Sequence, residues 1–89
     1  KDVVDFLPIA PGYSIREIKA PREFVGKSLS ELALRNTMHV QLIAIERKRT
    51  KDDLDINIVP SAEDVIQADD ILVLRGRNRD LDRITDIIK

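Results

Sequence analysis

The chain has no cysteine, no tryptophan and a single histidine among its 89 residues. Without cysteine, neither a disulfide nor a thiolate metal site can brace the fold. One histidine, His39, excludes a multi-histidine metal site and a paired-histidine switch. The aromatics are Phe6, Tyr13 and Phe24, so the interior must be built from Ile, Leu and Val. No apolar run approaches the roughly 20 residues needed to span a bilayer. Basic charge is not in excess: Lys and Arg number 15 against 16 Asp and Glu, for a net charge of -1. That balance weighs against nucleic acid as a partner, which calls for a basic face. "GYS" and "VGKS" lack Walker-type spacing, so no phosphate loop is present. No nucleophile stands with a base, which points away from an enzyme.

What remains is a short chain rich in aliphatic residues. Its length suits one domain. Such a chain buries only about 60–65% of its unfolded surface. A core that thin commonly gains reinforcement from a partner copy. The chain opens on Lys1 and shows no signal peptide, the pattern of a piece excised from a larger cytosolic protein.

Residues 1–12, "KDVVDFLPIAPG", carry Pro8, Pro11 and Gly12, which exclude a long helix. They read as a connector from an upstream region, with Val3, Val4, Phe6, Leu7 and Ile9 packing on this domain or a second copy. Residues 13–89 read as the domain proper. "YSIREIKA" (13–20) predicts a strand. "GKSLSELALRN" (26–36) predicts a helix with a capping box, Ser28 and Glu31. Its Leu29, Leu32 and Ala33 share a face. "VQLIAIER" (40–47) and "LDINIV" (54–59) predict a hairpin around the polar loop 48–53. "SAEDVIQ" suggests one helical turn capped by Ser61. "ILVL" (71–74) predicts a central strand. "NRDLDRITDIIK" (78–89) predicts a helix capped by Asn78, with Leu81, Ile84, Ile87 and Ile88 as its apolar stripe. The order β-α-β-β-β-α implies an α+β domain with a mixed or antiparallel sheet and two helices.

Several residues invite chemistry. His39 follows the first helix, where a side chain can line a pocket or simply face solvent, the reading preferred here. Asp52, Asp53 and Asp55 lack the glycine and distal glutamate of an EF-hand loop, so they read as a solvated hairpin tip with no metal. Asp69 and Asp70 enter a strand as neighbours and point to opposite faces, so they turn the chain rather than share a proton. Arg75, Arg77 and Arg79 alternate around Gly76. Such a run can grip phosphate, but a charged strand end is preferred. Arg35, near the end of the first helix, can complement the helix dipole or offer its planar fork to a phosphate.

The segments "IREIKAPREFVGKSLSELALRN", "VQLIAIER" and "INIVPSAEDVIQADDILVLRG" together resemble the C-terminal RCK domain, or TrkA-C domain. The carrying features are Pro21 to Leu32, the strand after it and the block Pro60 to Gly76, in that order and spacing. The resemblance implies a dimeric cytosolic regulatory domain of a potassium channel or transporter. It implies an upstream nucleotide-binding or transmembrane part of the same chain, and no cofactor. In some members a small ligand, cyclic di-AMP, binds at the dimer interface. Carried over residue by residue, the ligand-binding positions are Leu34, Arg35, Gln41 and Pro60, with His39 and Thr50 as further additions. Gln41 stands where the family pattern has Asn, and its added methylene moves the amide by more than about an ångström. The alternatives are a ligand-free dimerisation module and a divalent-cation-sensing gating domain built on Asp52 and Asp53.

Overall fold

The computed structural model describes residues 3–87, with side chains from 7 to 86. Five strands form one sheet: β1 (Val3–Ala10), β2 (Tyr13–Lys19), β3 (Gln41–Thr50), β4 (Asp53–Asn57) and β5 (Ile71–Arg77). Their spatial order is β1-β2-β5-β3-β4, and every neighbouring pair is antiparallel. The helices are α1 (Leu29–Leu32) and α2 (Leu34–Thr37), between β2 and β3, and α3 (Asn78–Ile87) after β5. The α+β class holds, and the sheet is wholly antiparallel rather than mixed. Among the described residues no helix is long and apolar enough to cross a membrane.

The "ILVL" strand is central, as its continuous apolar run requires. Leu72 and Leu74 point into the core with Ile18 of β2 and Ile45 of β3, and the first three are fully buried. Leu81 and Ile84 of α3 close the core from above, while Phe24, Leu34, Val40 and Ile66 fill its rim. Polar contacts fix the helix on the sheet. Ser14 donates its hydroxyl to Asn78 Oδ1 at 2.7 Å, and buried Arg16 reaches Asp82 at 2.7 Å.

Several expectations need correction. Residues 3–10, where the sequence excluded a long helix, form edge strand β1, which folds onto β2 through a tight turn at Pro11 and Gly12. Gly12 adopts φ 82°, a conformation that carries little penalty only for glycine. The expected packing of Val3, Val4 and Phe6 lies outside the described side chains. Leu7 and Ile9 are 59% and 56% exposed, so most of each side chain is left uncovered by the described residues. The polar loop 48–53 shrinks to a two-residue turn, because β3 continues to Thr50 and pairs it with Asp53. "SAEDVIQ" forms no helical turn. It runs alongside residues 26–30, where the Ala62 and Asp64 carbonyls accept from the Ser30 and Leu29 amides. Those carbonyls satisfy orphan donors that a helix start always exposes. Asn78 is the first residue of α3, with its side chain engaged by Ser14 rather than capping. Ile88 lies outside the described residues.

The first helix is capped as expected: Glu31 N–H donates to Ser28 Oγ at 3.1 Å, and Ser28 N–H to Glu31 Oε1 at 2.8 Å. It does not run to Asn36 unbroken. Ala33 flips to the left-handed region (φ 46°, ψ 51°) and splits it into two short pieces. The break turns Leu34 into the core, 7% exposed, and leaves Arg35 on the surface.

All three helices contribute to one face of the sheet. The strand registers place Leu7, Tyr13, Ile15, Ala44, Leu54, Ile56, Ile71 and Val73 on the opposite face, since side chains alternate along a strand. No described element covers that face. Tyr13, Leu54 and Ile56 are about half exposed there, at 46%, 50% and 49%.

Candidate functional site

At one end of the uncovered face, the bulged end of β1, the start of β2, the end of β5 and the residues leading into β3 enclose an open cavity of about 570 Å³. Ile9, Ala10, Tyr13 and Val40 supply apolar wall. Arg35, Arg75, His39 and Gln41 supply the polar groups, and among the described residues no carboxylate lines the cavity. A second cavity of about 260 Å³ shares Arg35, Val40 and Gln41 with the first, and adds Leu29, Ala33, Leu34 and Leu42. Arg35 thus borders both cavities.

Local backbone geometry builds this corner. The flip at Ala33 projects Arg35 from α2. His39 also adopts a left-handed conformation, φ 61°, as the chain leaves α2 for β3. Gly76 lets this corner approach β5 closely. A Cβ on it would lie 3.1 Å from Val40 Cγ1 and 3.5 Å from the His39 carbonyl oxygen.

The structure therefore brings Arg35, His39 and Gln41 together on one cavity and places Leu34 on the wall of its neighbour. Pro60 lies half-buried in the connection after β4, and Thr50 at the β3–β4 turn; neither lines these cavities. The residue that sequence reasoning set aside is Arg75. It faces Gln41 across the β5–β3 ladder, and its Nε and Nη2 both donate to Gln41 Oε1, at 3.1 and 2.7 Å. Within the run Arg75, Arg77 and Arg79 it reads as part of a charged strand end; the pairing of β5 with β3 sets it beside Gln41.

The adjacent aspartates separate into two roles. Asp70 is buried with its side chain fully enclosed, and both carboxylate oxygens accept from Arg47, each at 2.8 Å. The same carboxylate accepts from the Gln67 amide at 2.8 Å, which turns the chain into β5. Asp69, at φ 69°, is exposed and meets Lys19 at 3.2 Å. The pair turns the chain and locks it, as structural residues. Nearby, Asp64 accepts from the Ser61 amide and from Asn57 Nδ2, both at 2.8 Å. Those two donors hold its carboxyl below its ordinary value. At the β3–β4 turn Asp53 pairs with Arg49 at 3.2 Å. Among the described residues no group of three or more His, Cys, Asp or Glu is gathered as a metal site.

Glu46 on the uncovered face departs from ordinary behaviour. Partial burial, and then the charge and hydrogen bond of Glu17, raise its pKa. Desolvation and a nearby like charge both disfavour its charged form.

The TrkA-C domain family model matches residues 13–89. The chain is 31% identical over 83 residues to Ktr system potassium uptake protein A of Bacillus subtilis (strain 168), covering 93% of this chain and 35% of that protein. It is 29% identical over 82 residues to Ktr system potassium uptake protein C of the same organism, covering 92% of this chain and 35% of that one. The chain thus spans about a third of the length of these relatives. Among solved structures, the RCK C domain of the potassium transport protein KtrA in complex with cyclic diadenosine monophosphate superposes with a TM-score of 0.73. The identity is 30%, over 86% of this chain and 85% of that one. The GsuK RCK domain superposes with a TM-score of 0.71 at 26% identity, over 86% of this chain and 16% of that one.

Proposed function

This chain belongs to the TrkA-C domain family, and on that premise we propose that it is a cytosolic regulatory domain of a potassium transport system that senses a small anionic ligand. Cyclic di-AMP is the ligand proposed. The observation that carries this reading is the cavity at the end of the uncovered sheet face, lined by Arg35 and Arg75 and by no carboxylate among the described residues. A cyclic dinucleotide presents two phosphodiesters and two flat bases. Arg35 supplies a planar donor fork suited to phosphate. Tyr13, nearly half exposed at the cavity wall, supplies an aromatic face against which a base can stack.

The regulation proposed is dimeric. A second copy covers the open sheet face, burying Tyr13, Leu54 and Ile56, and a two-fold arrangement presents each cavity twice. A ligand that contacts both copies favours the paired state by its differential affinity, and so acts on whatever the domain is joined to. In the proposed setting that is an upstream part of the same chain, coupled to a membrane channel or transporter. The superposition on the KtrA complex supports the ligand, and the exposed apolar face supports the pairing.

Isothermal titration of the chain with cyclic di-AMP, alongside Arg35→Ala, tests the site. Binding is expected for the wild type, weakened by about tenfold or more in the variant. Equal affinity in the variant removes Arg35 from the site, and no binding by the wild type removes this ligand. The uncovered face also favours a second reading, a dimerisation module that takes no ligand. Sedimentation separates the two: a dimer whose stability ignores cyclic di-AMP selects the second.

A further inference from the structure

The amide of Gln41 can engage Arg75 in one sense only, because a guanidinium has donors and no acceptor. Its oxygen accepts from both Nε and Nη2 of Arg75. Two donors converging on one oxygen fix the plane of the guanidinium and not merely its position. A guanidinium carries five N–H donors. Two are committed to Gln41, and those on the remaining edge make no contact among the described residues. Arg75 lines the cavity together with Arg35 and His39, where among the described residues no carboxylate offsets the charge. An exposed arginine on a strand ordinarily loses rotamer freedom on gripping an anion; one already clamped has less to lose.

We infer that Arg75, oriented by Gln41, is a second phosphate-gripping group of this cavity, and that Gln41 acts as its positioning residue. The assignment deepens the anion-site reading above and rests on it for the class of ligand. It divides the work between two unlike cations. Arg35 stands on the helical side of the cavity, exposed, with no side-chain hydrogen-bond or ion-pair partner among the described residues. Arg75 stands on the sheet, pre-aligned by a neighbour. The length of the Gln41 side chain is then functional: the amide has to reach across the ladder to Arg75.

The test reads Arg75 directly. In 15N-edited spectra of the chain, the Arg75 Nε–H gives a distinct, slowly exchanging signal, because it is hydrogen-bonded. Gln41→Leu and Gln41→Asn each return that signal to ordinary exposed behaviour without shifting the thermal midpoint. Titration with cyclic di-AMP moves the Nε–H signal, and Arg75→Gln weakens binding about 10- to 100-fold. Gln41→Leu weakens it less, by about 3- to 10-fold, since the charge remains but its orientation is lost. Gln41→Glu separates positioning from fold: it holds Arg75 more tightly yet weakens the anion, because it adds a negative charge to the cavity.

If cyclic di-AMP binds while the Arg75 signal stays still and Arg75→Gln retains wild-type affinity, the present inference is overturned and the ligand reading stands. If the wild type does not bind cyclic di-AMP, that ligand reading fails, and inorganic pyrophosphate at low salt decides this one. A shift of the Arg75 signal that needs about 3- to 10-fold more anion in Gln41→Leu upholds the clamped grip; no shift in the wild type overturns it.

Discussion

Removing Arg47 strikes the most enclosed charge in the domain. The Asp70 side chain is fully buried and receives three hydrogen bonds, two of them from Arg47. Arg47→Met preserves the aliphatic stem and deletes both, leaving the carboxylate with the Gln67 amide alone. Breaking a buried pair by removing one partner costs about 3–5 kcal/mol. The Arg47 side chain is 32% exposed, so water can partly replace it. The expected loss is therefore nearer about 2–4 kcal/mol. A domain of this length has only about 4–13 kcal/mol in total. The thermal midpoint should fall by about 8–32 °C, at about 4–8 °C per kcal/mol. Urea unfolding followed by circular dichroism measures this, within a cycle that adds Asp70→Asn and the double variant. Asp70→Asn keeps an acceptor for Gln67 and frees Arg47 to reach solvent. The double variant should therefore be more stable than the summed single losses by about 1–2 kcal/mol. A loss under about 1 kcal/mol for Arg47→Met, or strict additivity, would refute the claim that this pair locks the turn into β5.

Other consequences follow from local geometry and titration. Ala33→Gly should stabilise the chain by about 0.5–1 kcal/mol in urea unfolding, since relief of the left-handed strain outweighs the added freedom of the unfolded chain. Loss of stability would show that the Ala33 methyl is needed where it stands. Asp64 has a native pKa lowered from 3.8, so its contribution is complete above that value and is lost as pH falls through the native pKa. Asp64→Asn should therefore lower the midpoint at pH 7, with the two curves merging in acid; a constant offset would exclude the linkage. Glu46 has the opposite sign, because its native pKa is raised from 4.5. Its favourable contribution is present below that value and lost as pH rises through the native pKa. Glu46→Gln should raise the midpoint at pH 7 and match the wild type below about pH 4.5.

Much of the scaffold was written in local signals. The capping box of Ser28 and Glu31, the apolar run of "ILVL" and the stripe through Leu81 and Ile84 each depend on residues close in the chain, and each formed as read. Where the reading failed, the deciding contact was distant or conformational. Prolines in 1–12 argued against helix, but they are tolerated on an edge strand, where an unpaired amide costs nothing. Nothing in "ELALRN" marks Ala33 as a breaker, because alanine is the best helix former. Its flip answers to the burial of Leu34 and the exit toward β3. The candidate site divides in the same way. Arg35, His39 and Gln41 are near neighbours in sequence and arrived together. Arg75 lies 34 positions from Gln41 and was visible only once β5 paired with β3. Pro60 had no local signal to place it either in or out of the cavities.

Among the described residues strand β1 is fastened along one flank only, and its two ends lie at opposite extremes of the hairpin. Val3 sits across from Ile18, while Ala10 sits across from Tyr13 at the cavity. Because Ile9 and Ala10 are wall as well as ribbon, a molecule lodged there rivets the far tip of the strand. Tension applied near residue 3 unzips the ribbon toward that rivet, and an empty seat offers less resistance than a full one. Linkage runs equally in reverse, so a chain already peeled back surrenders its guest more readily.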